Sequence, residues 1–182
     1  MASSTSNTQL PSVEIDSPVG ALLVIASASA IVAVGFERRD WTDLIESASA
    51  EHRLNGSLSS AEQLLTTATA ELDDYFAGLL KEFSVPVDLG STTGFRSKVL
   101  GLTANIPFGE TRSYGDLARA AGSPRAVRAT GSAMGSNPVP IIVPCHRVVR
   151  SDGSAGRFGG GSEMKLRLLA HEAGQRQPGP SR

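Results

Sequence analysis

Apolar and polar positions alternate in two different rhythms along the chain. Val13-Glu14-Ile15, Ala21-Leu22-Leu23-Val24-Ile25 and Ile31-Val32-Ala33-Val34-Gly35-Phe36 are short apolar runs divided by small or polar residues, which predicts an antiparallel meander over residues 12–36. Residues 37–60 are polar and rich in alanine and serine, with a short helix expected near 42–50. From Ser60 to Leu80 the rhythm changes. Leu64, Leu65, Ala68, Leu72, Tyr75, Phe76 and Leu79 recur at helical spacing behind Ser60 as cap, and predict an amphipathic helix lying on the sheet. Val85-Pro86-Val87 is a candidate edge strand, and Leu89-Gly90-Ser91-Thr92-Thr93-Gly94 has the composition of a linker.

The second half reads as mainly helical. Phe95, Val99, Leu102 and Ile106 share one face of a helix over 95–104, Pro107-Phe108-Gly109-Glu110 turns the chain, and Ser113 caps a helix over 114–121. After Gly122-Ser123-Pro124 a third helix is expected over 125–135. Two short helices joined through a glycine turn are the arrangement of a helix-turn-helix. The third helix, Arg125-Ala126-Val127-Arg128-Ala129-Thr130-Gly131-Ser132-Ala133-Met134-Gly135, is basic at its start and otherwise small. It lacks the asparagine, glutamine and arginine series that reads base edges in a major groove. Small side chains instead allow close approach to a minor groove or a phosphate backbone.

Charge divides the same way. The whole chain carries a net −1, but residues 1–91 hold 13 acidic and 4 basic residues, net −9, and residues 92–182 are net +8. A basic half beside an acidic one suggests that the second half meets a polyanion. At 182 residues, 40% hydrophobic and 19% charged, the composition is that of a globular protein rather than a disordered one. The apolar stretch from Val19 to Phe36 is broken by Gly20, Ser27, Ser29 and Gly35 and does not read as a membrane span. A single cysteine and three histidines without ligand spacing predict no disulfide, no metal and no cofactor, and a reducing, cytoplasmic setting.

That cysteine is the sharpest chemical signal. Cys145 ends the apolar run Asn137-Pro138-Val139-Pro140-Ile141-Ile142-Val143-Pro144 and is followed by His146 and Arg147. Basic neighbours lower a thiol's pKa and provide the base that a nucleophile needs.

The segment Asn137 to Val149 resembles the 6-O-alkylguanine-DNA alkyltransferase family. It comes with Ile106-Pro107-Phe108-Gly109-Glu110-Thr111, Ser113-Tyr114-Gly115, Gly159-Gly160-Gly161 and Leu168-Leu169-Ala170-His171-Glu172-Ala173-Gly174 in family order, so the match spans about residues 95–174. The resemblance implies an α/β (α+β) fold: a small ribonuclease-H-like domain over 12–90, then a winged helix-turn-helix catalytic domain over 91–175. Residues 1–11 and 176–182 would be disordered tails. It also implies repair of double-stranded DNA bearing alkylated guanine, with the alkyl group moved irreversibly to Cys145, once per molecule, after the base is flipped out.

Roles carried over in the same way make Cys145 the nucleophile, His146 its base through a water, Glu172 the carboxylate that orients the histidine, and Tyr114 the proton donor to the departing guanine. Arg128 would take the flipped base's place, with Ala126, Ala129, Gly131, Ser132 and Tyr114 against DNA. Val148, Gly159, Gly160 and Asn137 would line the guanine pocket, while Asn137 and Arg147 brace the reactive segment. The protein is expected to be a monomer, with cooperative assembly on DNA as an option. Leu100 and Arg157-Phe158-Gly159 depart from the family pattern, which leaves the accepted alkyl size open. The competing readings are a lesion sensor without chemistry, which Cys145 disfavours, a small-molecule cysteine hydrolase, for which no oxyanion hole is declared, and a transcription factor, which lacks base-reading side chains.

Overall fold

A computed structural model describes residues 9–36, 40–52 and 56–174. Strands β1 (Ser12–Ile15), β2 (Leu22–Ala26) and β3 (Ile31–Gly35) form the expected antiparallel meander in the order 1-2-3. Every residue of β2 and β3 is buried, because helices cover both faces. Leu22, Val24 and Ala26 pack with helix α2 (Leu58–Phe76), whereas Leu23, Ile25, Val32 and Ala33 pack with helix α1 (Trp41–Glu51) through Trp41, Leu44 and Ala48. The period-2 alternation thus feeds two apolar clusters, with about 1.5–3 kcal/mol for each large side chain removed from water.

Helix α2 buries Ala61, Leu65, Ala68, Leu72 and Tyr75, a stripe at spacings of three and four. Its cap is Ser57 rather than the expected Ser60: the Ser57 hydroxyl accepts from the Ser60 amide at 3.1 Å. The helix ends at Phe76, because Gly78 takes a left-handed φ of 76° and its amide turns back to the Tyr75 carbonyl. Leu79, expected on the buried stripe, is therefore outside the helix and 78% exposed. Pro86 and Asp88 exchange backbone hydrogen bonds with Ile31, the edge contact expected of Val85-Pro86-Val87.

The tail expected at 1–11 lies mostly outside the described residues, as does the one at 176–182. Leu10, however, is fixed. Its side chain is buried and its amide donates to Ser49 Oγ at 2.9 Å, while Pro11 accepts from Ala26 at 3.1 Å. An apolar side chain with a place in the core ties down a segment that composition alone marks as frayed.

The second half contains α3 (Gly94–Ala104), α4 (Tyr114–Ala120), α5 (Val127–Gly135) and α6 (Gly161–Gly174), with two-residue strands β4 (Arg112–Ser113) and β5 (Val148–Val149) paired in parallel. Ser113 and Asp116 close a capping box at the start of α4. Val99, Leu100, Ile106, Leu117, Met134, Cys145 and Val148 share one core cluster. The halves are fused rather than tethered: Val139, Ile141, Val143 and Leu168 belong to the same cluster as the sheet, and the Val34 amide donates to the Pro138 carbonyl at 2.8 Å. The linker is also held, with the Ser91 amide donating to Glu51 Oε1 at 2.8 Å. No described helix is long and apolar enough to cross a membrane.

Candidate active site

Asn137 shapes the approach to Cys145. Its Nδ2 donates to the Val143 carbonyl at 2.8 Å and its Oδ1 accepts from the Val139 amide at 3.2 Å, closing a turn in which the Val143 amide reaches the Val139 carbonyl at 2.9 Å. The turn places fully buried Ile141 at φ 75°, a conformation that a β-branched residue adopts only under tertiary constraint. Cys145, His146 and Arg147 then form a turn of 3-10 helix. Pro144 and the turn braced by Asn137 direct the chain into it. Successive side chains in such a turn diverge by about a third of a revolution, so neighbours in sequence still face different partners.

All three are buried. His146 Nε2 lies 2.8 Å from Glu172 Oε1. Arg147 donates from Nη2 to Oε1 at 2.9 Å and from Nε to Oε2 at 3.0 Å, and its Nη1 reaches the Ile106 carbonyl at 2.6 Å. The Gly109 amide adds a bond to Oε2 at 2.9 Å, and the Tyr75 hydroxyl donates to Oε1 at 2.8 Å. Burial by itself raises the Glu172 pKa, but hydrogen bonds and charge from His146 and Arg147 outweigh it and bring the carboxyl down to about 2. An ionised carboxylate only accepts, so His146 donates from Nε2 and leaves Nδ1 as its lone-pair nitrogen. Nδ1 is buried and has no hydrogen-bond partner among the described residues. Burial lowers the His146 pKa, with Glu172 opposing it, which keeps the imidazole neutral near pH 7.

Cys145 is 3% exposed. Burial raises its pKa, only partly offset by hydrogen bonding to Asn137 and by the charge of Lys165. The sequence expectation of a lowered value is corrected: the resting group is a thiol, and attack requires a base.

No motif in the sequence marks Lys165. It is fully buried in α6, its Nζ donates to the Val148 carbonyl and lies 3.5 Å from the Tyr114 hydroxyl oxygen, and burial lowers its pKa to about 8. A lysine on a helix ordinarily reads as solvated. Its available signal is spacing, since Lys165, Leu168 and Glu172 form one buried stripe.

Two concavities meet this region. One, of about 370 Å³, brings Cys145, Asn137, Gly159, Met134 and Pro140 against Phe36 and Trp41 of the first half. The other, of about 680 Å³, is a groove lined by Tyr114, Arg128, Gly131, Ser132, Arg150 and Arg157. Ala129 is exposed and Ala126 half-buried at the start of α5. Gly156, at φ 69°, leaves room for Tyr114: a Cβ there would stand 2.8 Å from its hydroxyl oxygen. Val148 and Gly160 line neither concavity. Val148 is fully buried with its carbonyl held by Lys165, and a Cβ on Gly160 would strike Met164. Among the described residues no group of three or more histidine, cysteine or acidic side chains could hold a metal.

Fold and site together define a protein whose one thiol, backed by an imidazole and a carboxylate, sits close to an arginine-lined groove on a helix-turn-helix. Comparison with known proteins gives that class a family. Residues 94–174 match the DNA binding domain of 6-O-methylguanine DNA methyltransferase, and residues 14–89 match its ribonuclease-like domain. The constitutive methylated-DNA--protein-cysteine methyltransferase of Bacillus subtilis is 38% identical over 156 residues, covering 85% of this chain and 90% of that protein. The O6-methylguanine methyltransferase of Mycobacterium tuberculosis superposes with a TM-score of 0.74 at 34% identity, over 92% of this chain and 95% of that one. A structure of the same organism's OGT in complex with DNA gives 0.72 at 36%, over 89% and 92%. The chain belongs to the 6-O-methylguanine DNA methyltransferase family.

Proposed function

We propose that this chain repairs DNA by transferring an alkyl group, methyl in the simplest case, from the sixth-position oxygen of guanine to Sγ of Cys145. The observation that carries the reading is the position of Cys145. It packs in one apolar cluster with Tyr114, which lines the arginine-bearing groove, while the adjacent His146 is tied to Glu172 behind it.

In this reading DNA lies along α5. Arg128, Arg150 and Arg157 meet phosphates, and the small faces of Ala126, Ala129, Gly131 and Ser132 let the helix approach closely. The lesion is extruded from the duplex, at a cost of a few kcal/mol that is least for a poorly paired base, and Arg128 fills the gap. His146 Nδ1 takes the thiol proton through a water. The sulfur attacks the alkyl carbon, a C–S bond forms as the C–O bond breaks, and the guanine takes a proton from Tyr114. Lys165 faces both Cys145 and Tyr114, where a cation steadies the developing thiolate and phenolate. Asn137 and Gly159 belong to the pocket wall beside the thiol. A thioether has no good leaving group, so each chain reacts once. A reducing cytoplasmic setting with access to DNA keeps the thiol free.

Incubation with a duplex carrying radiolabelled O6-methylguanine tests this. The wild-type chain retains one label per molecule and Cys145→Ala retains none; label on the variant, or more than one group per chain, refutes the assignment.

A further inference from the structure

Tyr75 is contributed by α2, in the half of the molecule that carries neither the thiol nor the groove. Its ring is fully buried among Phe76, Phe83, Phe108 and His171, with centroids 5.1, 5.5, 5.9 and 5.2 Å away. A phenol so enclosed must give its proton to a specific acceptor, and here that acceptor is Glu172 Oε1 at 2.8 Å. The same oxygen receives His146 Nε2, also at 2.8 Å. The partners are held in place from both sides, because His171 Nε2 lies 2.8 Å from the Tyr75 carbonyl oxygen, so helix α6 is fastened to α2 next to Glu172.

We propose that Tyr75 is a positioning residue for alkyl transfer, through which the amino-terminal half fixes the Glu172 carboxylate against His146 and limits how strongly that carboxylate holds the imidazole. The inference rests on the reading of His146 and Glu172 as the base for Cys145. Donors that share one carboxylate oxygen compete for its electron density, and on Oε1 Tyr75 and His146 do so beside Arg147. Each hydrogen bond that Oε1 accepts from Tyr75 weakens its pull on the Nε2 proton and so keeps Nδ1 a less basic, more often unprotonated acceptor. The hydroxyl stays protonated throughout, since burial first and Glu172 second push its pKa up. Among the described residues, the other charged or titratable groups facing this network are Arg147 and Cys145 from the turn and Lys165 and His171 from α6.

The test is the pH profile of single-turnover alkyl transfer to the full-length chain. Tyr75→Phe keeps the ring and deletes only the donor. It is expected to move the acid limb, where His146 becomes protonated, upward by about half a pH unit, a roughly threefold gain in proton affinity. 3-Fluorotyrosine placed at position 75 alone keeps the hydroxyl and makes it a stronger donor, and it should move the same limb downward. Opposite shifts are a signature that a purely structural role does not produce. An acid limb unmoved in both proteins, or a uniform loss of rate at every pH, overturns the proposal. If Tyr75→Phe does not fold, the direction of the 3-fluorotyrosine shift decides alone. A wild-type chain that fails to acquire label would instead overturn the function itself.

Discussion

Replacing Glu172 with glutamine keeps the shape of the side chain and removes its charge. The two carboxylate oxygens accept from Tyr75, His146, Arg147 and the Gly109 amide. Whichever way the glutamine amide is turned, its NH2 group faces donors, and the Arg147 guanidinium is left buried without a counter-charge. Breaking a buried pair by removing one partner costs about 3–5 kcal/mol. Linkage expresses the same interactions as a pH effect: a carboxyl lowered from its ordinary 4.5 to about 2 in the folded state contributes roughly 3 kcal/mol at neutral pH. Against a total stability of about 5–15 kcal/mol, Glu172→Gln should lower Tm by about 6–20 °C at neutral pH.

The pH dependence has a definite sign. Because the folded-state pKa is depressed, this stabilisation is fully present above the unfolded value of 4.5 and is lost as pH falls towards 2. His146, whose folded pKa is also lowered, favours the unfolded state from below its ordinary 6.5 in the same acid direction. Thermal unfolding of wild type and variant across this range, followed by circular dichroism, should show a gap that narrows as Glu172 protonates. A neutral-pH difference of less than about 2 °C, or a gap that stays constant from about pH 6 to pH 3, would refute the view that Glu172 is an ionised hub.

Two further substitutions separate chemistry from folding. Lys165→Met removes the cation facing Cys145 and Tyr114, so the rate of alkyl transfer should fall about tenfold or more, and the alkaline decline expected as Lys165 loses its proton near pH 8 should disappear. Its folded pKa is depressed, so the cost of burying the ammonium is fully present below about pH 8 and is relieved only as pH rises towards the ordinary 10.5; thermal unfolding at neutral pH should therefore show a variant no less stable than wild type, and a lost Tm with an unchanged rate profile would contradict the role. Gly156→Ala forces a Cβ to 2.8 Å from the Tyr114 hydroxyl oxygen at φ 69°, whereas a Cβ on Gly153, at φ 83°, would meet nothing within 4 Å. Both alanines should cost about 1–2 kcal/mol in Tm measurements, but only Gly156→Ala should slow single-turnover transfer, by about tenfold; equal rates in the two variants would show that Tyr114 is not used.

What the sequence made legible depended on how local each decision was. The meander could be read because side-chain alternation is set strand by strand, and the stripe on α2 could be read because it repeats every turn. The start of α2 could not be placed from spacing alone. Ser57 and Ser60 are both adequate caps, and the choice lies in which hydroxyl reaches a free amide. The turn at Cys145 was hidden because it depends on Asn137 side-chain bonds to the backbone two and six residues away. Leu10 was hidden because its pocket and Ser49 are distant in sequence.

The same distinction separates the parts of the site. Cys145, His146 and Glu172 lie in motifs whose order along the chain carries the resemblance, so their association needs no three-dimensional information to be suspected. Lys165 and Tyr75 have no such motif, and their residue types argue against them: a lysine in a helix is usually solvated and a tyrosine in an apolar stripe is usually core. Both become chemical only through partners 17 to 97 residues away, the Val148 carbonyl for Lys165 and Glu172 for Tyr75. Burial is what converts them. An ammonium or a phenol that water no longer solvates must find its hydrogen bonds within the protein, and here both find them next to the residues that surround the thiol. The acidic half therefore does more than balance the charge of the basic one: through Tyr75 it supplies one side of the carboxylate against which His146 rests.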